Sequence, residues 1–259
     1  MTGLFADLIQ LLPALWWPFC RFLAALAVAP LTGEGMTPAR VRVGAALALA
    51  VASLPALRGM PAIDPFSLYG IAVAVEQAII GLIFGLAFQL VMAVLSLLGF
   101  LVSSQMGLSM AVMNDPGNGN SSDVVSTLLY LLGAMVFFAV DGHLVLIQVV
   151  YTSFKAWPVG SGIDALSLQT LANSVGWVLA AAILLALPAV FATFVVQIGF
   201  GLINRVAPAL NLFSLGFPVV TLFGLGTLGL IVRFVPEQYL RLSGQLLQML
   251  DGMLGHGHG

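Results

Sequence analysis

The sequence predicts an all-α integral membrane protein with about six apolar helical regions. Of its 259 residues, 61% are hydrophobic and only 7% are charged, whereas an ordinary soluble domain has about 25% charged residues. A chain of this composition cannot cover a water-facing surface with polar groups. Its apolar regions also lack the two-residue alternation of membrane β-barrel strands, which leaves helices as the predicted element.

Composition also excludes several kinds of function. The net charge of −2 provides no basic surface for nucleic acid. The single cysteine, Cys20, rules out an internal disulfide bond and a cysteine-cluster metal site. The zinc-protease, nucleophile-elbow and phosphate-loop motifs are all missing from the sequence, so we expect no enzyme activity, no cofactor and no metal.

The six apolar regions follow one another without a separate soluble domain, so a single membrane domain over residues 1–259 is predicted. The regions cover residues 8–31, 41–57, 66–102, 124–154, 171–206 and 217–235. After the sixth region, leucines are interspersed with Arg241, Gln245 and Gln248 over residues 236–253. This pattern predicts an amphipathic helix that lies at an interface or on a partner.

The third apolar region is too long for a simple membrane span. Its 37 residues would reach about 55 Å as one helix, against a hydrocarbon core of about 30 Å. We expect either a hairpin that folds back near Gly81 or Gly85, or a helix that projects well beyond the bilayer. The same two glycines form a small-xxx-small face, which allows close helix packing.

Prolines interrupt several of these regions. Pro13, Pro18, Pro55 and Pro188 lack a backbone donor, so each is predicted to bend or break a helix.

Polar and ionisable side chains lie inside or near the apolar regions, where an ionised group facing lipid costs several kcal/mol. We therefore expect polar contacts between helices or subunits at Arg21, Glu76, Asp141, His143, Arg205, Asn211 and Arg233. For Glu76, pairing with an arginine is favoured over proton coupling. Asp141, Gly142 and His143 predict a turn, with a proton relay or metal pair as the alternative, although two ligands are too few for a metal site.

The connection after the fifth region is predicted to be a shaped turn. Asn204 and Arg205 precede Pro208, which cannot continue a helix, and Pro218 begins the next helix with a preset backbone angle. Basic residues in the connections are divided three against three, so the positive-inside rule selects no orientation. We infer that partner subunits hold much of this chain in place and that Arg205 contacts one of them.

Residues 105–123 read QMGLSMAVMNDPGNGNSSD and separate two strongly apolar regions. Met106, Met110 and Met113 would share one face of a helix, and methionine suits surfaces that must fit changing shapes. Pro116 would end that helix, and the glycines, asparagines and serines that follow have little backbone preference. These residues alone favour an ordinary exposed loop with three core methionines over a yielding plug for a membrane pore.

The segment FCRFLAALAVAPLTGEGMTPARVRVGAALALAVASLP is followed in order by EQAIIGLIFGLAFQL, GFLVSSQMGLSMAVMNDP, FFAVDGHLVLIQVVYTSF and NRVAPALNLFSLGFPV. Over about residues 19–235, these segments resemble blocks of the FliR family and occur in that family's order. The family also includes the matching SctT subunits of virulence type III secretion systems. The Met-Asn-Asp-Pro loop and the Arg-x-Ala-Pro-x-x-Asn-x-Phe-x-x-Gly-x-Pro pattern are the most specific pair, and Gly216-Phe217-Pro218 resembles the flagellar form.

The resemblance implies a non-enzymatic structural subunit of the flagellar type III protein export gate. Together with FliP and FliQ, such a subunit forms the narrow pore through which unfolded flagellar subunits cross the bacterial inner membrane, with FlhB and FlhA nearby. The implied fold joins a FliP-like part, residues 1–170, to a FliQ-like part, residues 171–259. The implied helical assembly belongs to the flagellar basal body, contacts membrane lipid and protrudes to the periplasmic side.

The resemblance also makes the central loop the plug of the closed pore and reverses the preference for an ordinary loop. The implied plug residues are Met106, Gly107, Met110, Met113, Asn114, Asp115, Pro116, Gly117, Asn118 and Gly119. A small-solute transporter or channel is the alternative function, because broken helices and intramembrane charges are also typical of such proteins. A membrane enzyme is a more distant alternative.

Overall fold

The computed structural model describes residues 2–33, 37–57, 63–108, 123–162, 165–206 and 216–256. Regular structure in these ranges is entirely helical, which confirms the predicted all-α class. The described ranges contain the helices α1 (Thr2–Val28), α2 (Ala39–Ser53), α3 (Leu68–Gln105), α4 (Val124–Ala139), α5 (Gly142–Ala156), α6 (Ala165–Val206) and α7 (Phe217–His256). A short 3-10 helix, Leu54–Ala56, follows α2.

Three of the described helices are long and apolar enough to cross a membrane. They are α3, the part Ala172–Val206 of α6 and the part Phe217–Gly252 of α7. The pair α4 and α5 passes the same test jointly, so up to four spans are present in the described residues, together with a shorter apolar helix at Ala14–Val28. This distribution agrees with an integral membrane protein in which some apolar helices are too short to span.

The third apolar region is one unbroken helix, so the first of the two expected arrangements, a hairpin near Gly81 or Gly85, does not form. Helix α3 has 38 residues, which corresponds to about 57 Å at 1.5 Å per residue. No proline lies inside it, and isolated glycines do not break a helix when tertiary packing supports them. The chain therefore forms one long helix here and not a hairpin.

Gly81 and Gly85 instead bring α3 close to α1. A Cβ atom at Gly81 would come closer than 3.0 Å to the Arg21 carbonyl oxygen, and one at Gly85 would crowd the Ala25 carbonyl oxygen in the same way. Contacts this short leave no room for any side chain. The predicted small-xxx-small packing face is therefore confirmed, and it lies against the backbone of α1.

Prolines end fewer helices than the sequence suggested. Helix α1 continues through Pro13 and Pro18, and α6 continues through Pro188. Each proline removes only one backbone donor, and the hydrogen bonds on either side hold the helix together. Pro55 behaves as predicted, since α2 ends at Ser53 and Pro55 lies in the first turn of the 3-10 helix.

The predicted amphipathic segment after residue 235 is not a separate helix. Helix α7 runs through Pro236 to His256, so the sixth apolar region and this segment form one helix of 40 residues. One face of the segment is buried in the chain itself, at Tyr239, Leu242, Leu246 and Leu250. This spacing of three and four residues is that of an amphipathic helix with one packed side.

The described helices divide into two compact units. The first unit draws on residues 1–90, 137–174 and 243–259, and the second on residues 91–136 and 175–242. Aromatic rings fill part of the core of the first unit, where Phe84 and Trp157 have ring centroids 5.4 Å apart. Fully buried aliphatic side chains such as Met92, Leu95 and Leu129 form part of the core of the second.

The close approach of α1 and α3 predicts that two glycine-to-alanine substitutions differ in their effect on stability. Gly85→Ala should lower the stability of the detergent-extracted protein by about 1–3 kcal/mol, because the new methyl group meets backbone that cannot yield. Gly199→Ala is the matched control, since nothing lies within 4 Å of its Cβ position and alanine favours a helix. The measurement is the thermal midpoint of both variants, purified with any subunits that accompany them. Equal midpoints would contradict the packing described here.

Candidate functional site

Arg21 lies on α1 and is completely buried. Its Nε atom donates to Gln77 Oε1, one terminal nitrogen donates to Ser153 Oγ, and the other donates to the carbonyl oxygen of Trp157, each at 2.9 Å. The ring of Phe154 lies 3.8 Å from the guanidinium carbon, in cation–π contact. The guanidinium therefore joins α1 to α3, to α5 and to the residue that follows α5.

Glu76 precedes Gln77 on α3 and binds the turn after α5. Its carboxylate accepts hydrogen bonds from the backbone N–H groups of Gly160 at 3.0 Å and Gly162 at 3.3 Å. It also accepts one from the side-chain amide of Gln77 at 3.1 Å. Because Gln77 accepts from Arg21 and donates to Glu76, the arginine expected as the partner of Glu76 is reached through this amide.

The turn predicted at Asp141 to His143 is present between α4 and α5, although Gly142 and His143 already belong to α5. Asp141 lies between α4 and α5 with φ 55° and ψ 30°, and its carbonyl oxygen accepts from Leu144 and Val145. The His143 ring packs against Phe137 and Phe138, with centroids 6.5 Å and 5.4 Å away. Within the described residues no three His, Cys, Asp or Glu side chains come together to hold a metal.

The remaining predicted polar contacts lie on the surface or outside the described ranges. Arg205 is exposed in the last turn of α6, where its positive charge interacts favourably with the negative end of the helix dipole. Helix α6 ends at Val206, close to the predicted position. Arg233 is exposed on α7. Asn211 lies outside the residues that the structure describes.

The first end of the central loop is a glycine cap on α3. Gly107 has φ 74°, and its N–H group donates to Ser104 O, while the N–H group of Leu108 donates to Ser103 O, both at 3.2 Å. These two bonds and the left-handed glycine form a Schellman motif, which ends a helix and occupies its last carbonyls. The helix therefore ends at Gln105, well before the stop predicted at Pro116.

The second end of the loop is an aspartate cap on α4. Asp123 is buried, and its carboxylate accepts from the Ser126 N–H group and hydroxyl, both at 2.9 Å. The N–H bond is that of an N-cap residue to the third helical position. The other carboxylate oxygen accepts from the hydroxyl of Ser103. Both ends of the loop therefore meet at Ser103, whose hydroxyl binds Asp123 and whose carbonyl binds Leu108.

Two further helices contact the first end of the loop. Gln197 of α6 donates to the carbonyl oxygen of Gln105 at 3.1 Å, and Thr221 of α7 donates to that of Met106 at 3.2 Å. The Met106 side chain is completely buried and lies against Gly224. A cleft of about 380 Å³ opens beside these contacts, lined by residues that include Ser104, Phe200, Phe217 and Val220.

The structure describes only the start of the predicted plug. Met106 and Gly107 follow the end of α3, so the shared helical face expected for Met106, Met110 and Met113 does not continue that helix. The other predicted plug residues lie outside the described ranges; they are Met110, Met113, Asn114, Asp115, Pro116, Gly117, Asn118 and Gly119.

The sequence analysis did not foresee the capping roles of Gly107 and Asp123 or the contacts of Gln197 and Thr221. Gly107 and Asp123 carried a recognisable signal, because glycine after a helix and Asp three residues before Ser are common caps. Gln197 and Thr221 carried none, since each contacts a carbonyl more than ninety residues away along the chain.

A family model described as bacterial export proteins, family 1, matches residues 12–246. The chain is 31% identical to the flagellar biosynthetic protein FliR of Pectobacterium carotovorum subsp. carotovorum, over 96% of this chain and 95% of that protein. It is 29% identical to FliR of Escherichia coli (strain K12), over 92% of each.

A relative with a different name is similar to about the same extent. The chain is 30% identical to the Yop proteins translocation protein T of Yersinia pestis, over 95% of both proteins. The family model and these relatives each span nearly the whole length of the chain. The chain therefore belongs to family 1 of the bacterial export proteins.

Proposed function

We propose that this chain is a structural, non-enzymatic subunit of a flagellar type III export gate. With FliP and FliQ it forms the narrow pore through which unfolded flagellar subunits cross the bacterial inner membrane. The observation that carries this proposal is the export-family match over residues 12–246, together with flagellar relatives aligned over more than nine-tenths of their length.

The proposal includes an arrangement of the assembly. Residues 1–170 form a FliP-like part and residues 171–259 a FliQ-like part, with FlhB and FlhA nearby in the flagellar basal body. The gate protrudes to the periplasmic side. The length of α3 supports protrusion, because 38 residues exceed the roughly 20 that a bilayer requires.

Uncovered apolar surface supports the need for partner subunits. In the most apolar stretch of α3, 61% of the residues are buried, whereas the corresponding figures are 28% for α6 and 17% for α7. Large side chains such as Leu184, Phe191 and Leu222 are more than half exposed. Lipid can cover such faces, but so can helices of FliP and FliQ, and the proposal assigns part of this surface to them.

The assembly is tested by expression with and without the proposed partners. Produced with FliP and FliQ, a tagged chain should purify as one monodisperse complex with both proteins. Produced alone, it should aggregate or be degraded, because its apolar faces lack their partners. Size-exclusion profiles and limited proteolysis provide the measurement. A stable, protease-resistant chain made alone would contradict the proposal, and solute transport by that chain would favour the transporter alternative.

We further propose that the central loop, residues 107–123, plugs the closed pore, with Met110 and Met113 contributing to the seal. The anchoring of both ends supports this role, because Gly107 and Asp123 hold the loop where α3 ends and α4 begins. An idle pore must block ions, since each charge that leaks dissipates roughly 2.3 kcal/mol per 100 mV.

The plug is tested by replacing residues 109–122 with a short Gly-Ser linker, which leaves both helix caps in place. The complex should assemble in normal yield, while the inner membrane should leak ions, because an aqueous path stays open. The control replaces residues 109–122 with a Gly-Ser segment of the same length, which retains the length of the loop without Met110 and Met113. Its leak should lie between that of the parent and that of the short-linker variant. Ion permeability in cells that carry all the gate subunits is the measurement. A fully assembled gate that stays as tight as the parent would exclude a plug.

We propose that Glu76 is structural and does not relay protons. Its three hydrogen bonds to Gly160, Gly162 and Gln77 support this role, because all three stabilise the carboxylate where it lies. The carboxylate therefore ties the turn after α5 to α3, most strongly through the part-buried bond from Gly160.

Two substitutions separate the structural role from the relay. Glu76→Gln should lower complex yield moderately, because one amide oxygen cannot replace a carboxylate, and Glu76→Lys should lower it severely. Glu237→Gln is the matched control, since Glu237 is exposed on α7. Complex yield and cell motility are compared for each variant. Normal assembly of Glu76→Gln with complete loss of motility would favour proton coupling instead.

A further inference from the structure

The last carbonyl groups of α3 are satisfied in two different ways. The carbonyls of Val102, Ser103 and Ser104 accept hydrogen bonds from the backbone N–H groups of Met106 to Leu108, within the helix end itself. Those of Gln105 and Met106 instead accept from side chains of α6 and α7. A glycine cap alone leaves such outer carbonyls to water, so the contacts from the other helices require a separate explanation.

One face of α7 contacts the first two residues of the loop. Phe217, Thr221 and Gly224 are spaced at four and three residues, which places them on the same side of a helix. A Cβ atom at Gly107 would lie 3.0 Å from the ring of Phe217, and one at Gly224 would clash with the Met106 side chain. Between them, the Thr221 hydroxyl donates to the Met106 carbonyl at 3.2 Å. This face of α7 therefore holds both the backbone and the side chain of Met106, the residue directly before Gly107.

We propose that Thr221, supported by Phe217 and Gly224, is a positioning residue that attaches the base of the central loop to α7. A displacement of the start of α7 is then transmitted directly to Met106 and Gly107. The positioning role concerns described residues alone, and its importance for sealing rests on the proposed plug function.

The strength of this attachment suits a reversible contact. A single neutral hydrogen bond changes a local equilibrium by about 2- to 12-fold. Met106 adds buried apolar contact with Gly224, but no ion pair or covalent link joins the described residues of this cluster. The attachment to α7 can therefore break without disrupting the backbone hydrogen bonds within α3 or α7.

Hydrogen exchange in the assembled complex tests the attachment directly. Thr221→Val removes the hydroxyl and nearly retains the shape, so amide exchange over residues 103–108 should rise about 2- to 10-fold. Thr227→Val is the matched control, because Thr227 is also half-buried on α7 but donates to Gly224 O of its own helix. It should leave exchange at the loop base unchanged.

Two more variants separate positioning from general packing. Thr221→Ser keeps the hydroxyl donor, so amide exchange over residues 103–108 should equal that of the parent. If Thr221 acted only through its shape, the serine variant would still show raised exchange. Gly224→Ala should raise exchange over residues 103–108 by displacing Met106. This variant tests the attachment independently if Thr221→Val assembles poorly. Exchange that rises equally in Thr221→Val and Thr227→Val, or in neither, would overturn the proposal.

Ion permeability distinguishes this inference from the plug proposal. If the linker replacement of residues 109–122 leaks and Thr221→Val also leaks while assembling normally, both proposals are supported. If the linker replacement stays tight but Thr221→Val still raises exchange, the plug fails and the positioning role of Thr221 stands. If the linker replacement leaks and Thr221→Val alters neither exchange nor leak, the plug stands and the positioning role fails.

Discussion

A buried guanidinium requires acceptors on every side, and the first unit is organised around that requirement. Arg21 is completely buried, and an unpaired charge in such a place would cost several kcal/mol. Acceptors from α3, from α5 and from the residue after α5 satisfy its donors. The glycine face of α3 belongs to the same arrangement, because Gly81 and Gly85 allow α1 to come close enough for Gln77 to reach the guanidinium. A bulkier residue at either glycine would separate α1 from α3 and deprive the guanidinium of its Gln77 acceptor.

Glu76 extends this network to the turn that follows α5. The carboxylate binds two backbone N–H groups there and is linked to Arg21 through the amide of Gln77. Opposite charges at the two ends of one amide polarise it favourably, which strengthens both hydrogen bonds. Arg21 and Glu76 thus belong to one hydrogen-bonded network inside the first unit, as expected for ionisable groups that cannot face lipid.

In the second unit, the backbone groups at the loop base also need hydrogen-bond partners, as the buried guanidinium does in the first. A helix that ends in apolar surroundings must give its last carbonyls partners. Gly107, Thr221 and Gln197 supply those partners for α3, and the Asp123 carboxylate accepts from the Ser126 N–H group in the first turn of α4. Two helix ends and a long loop are consequently joined at one place.

The sequence by itself determined the class of the protein, the positions of most helices, the glycine face of α3 and the turn at Asp141, because these depend on local composition and spacing. It did not determine that α3 is unbroken or that α7 continues through Pro236. Whether a single glycine or proline interrupts a helix depends on the packing around it. The partners of Arg21 and Met106 also depended on the tertiary structure: the residues that meet are 132 and 115 positions apart. Which polar groups pair is set by the helices that lie alongside each other, and no local pattern carries that information.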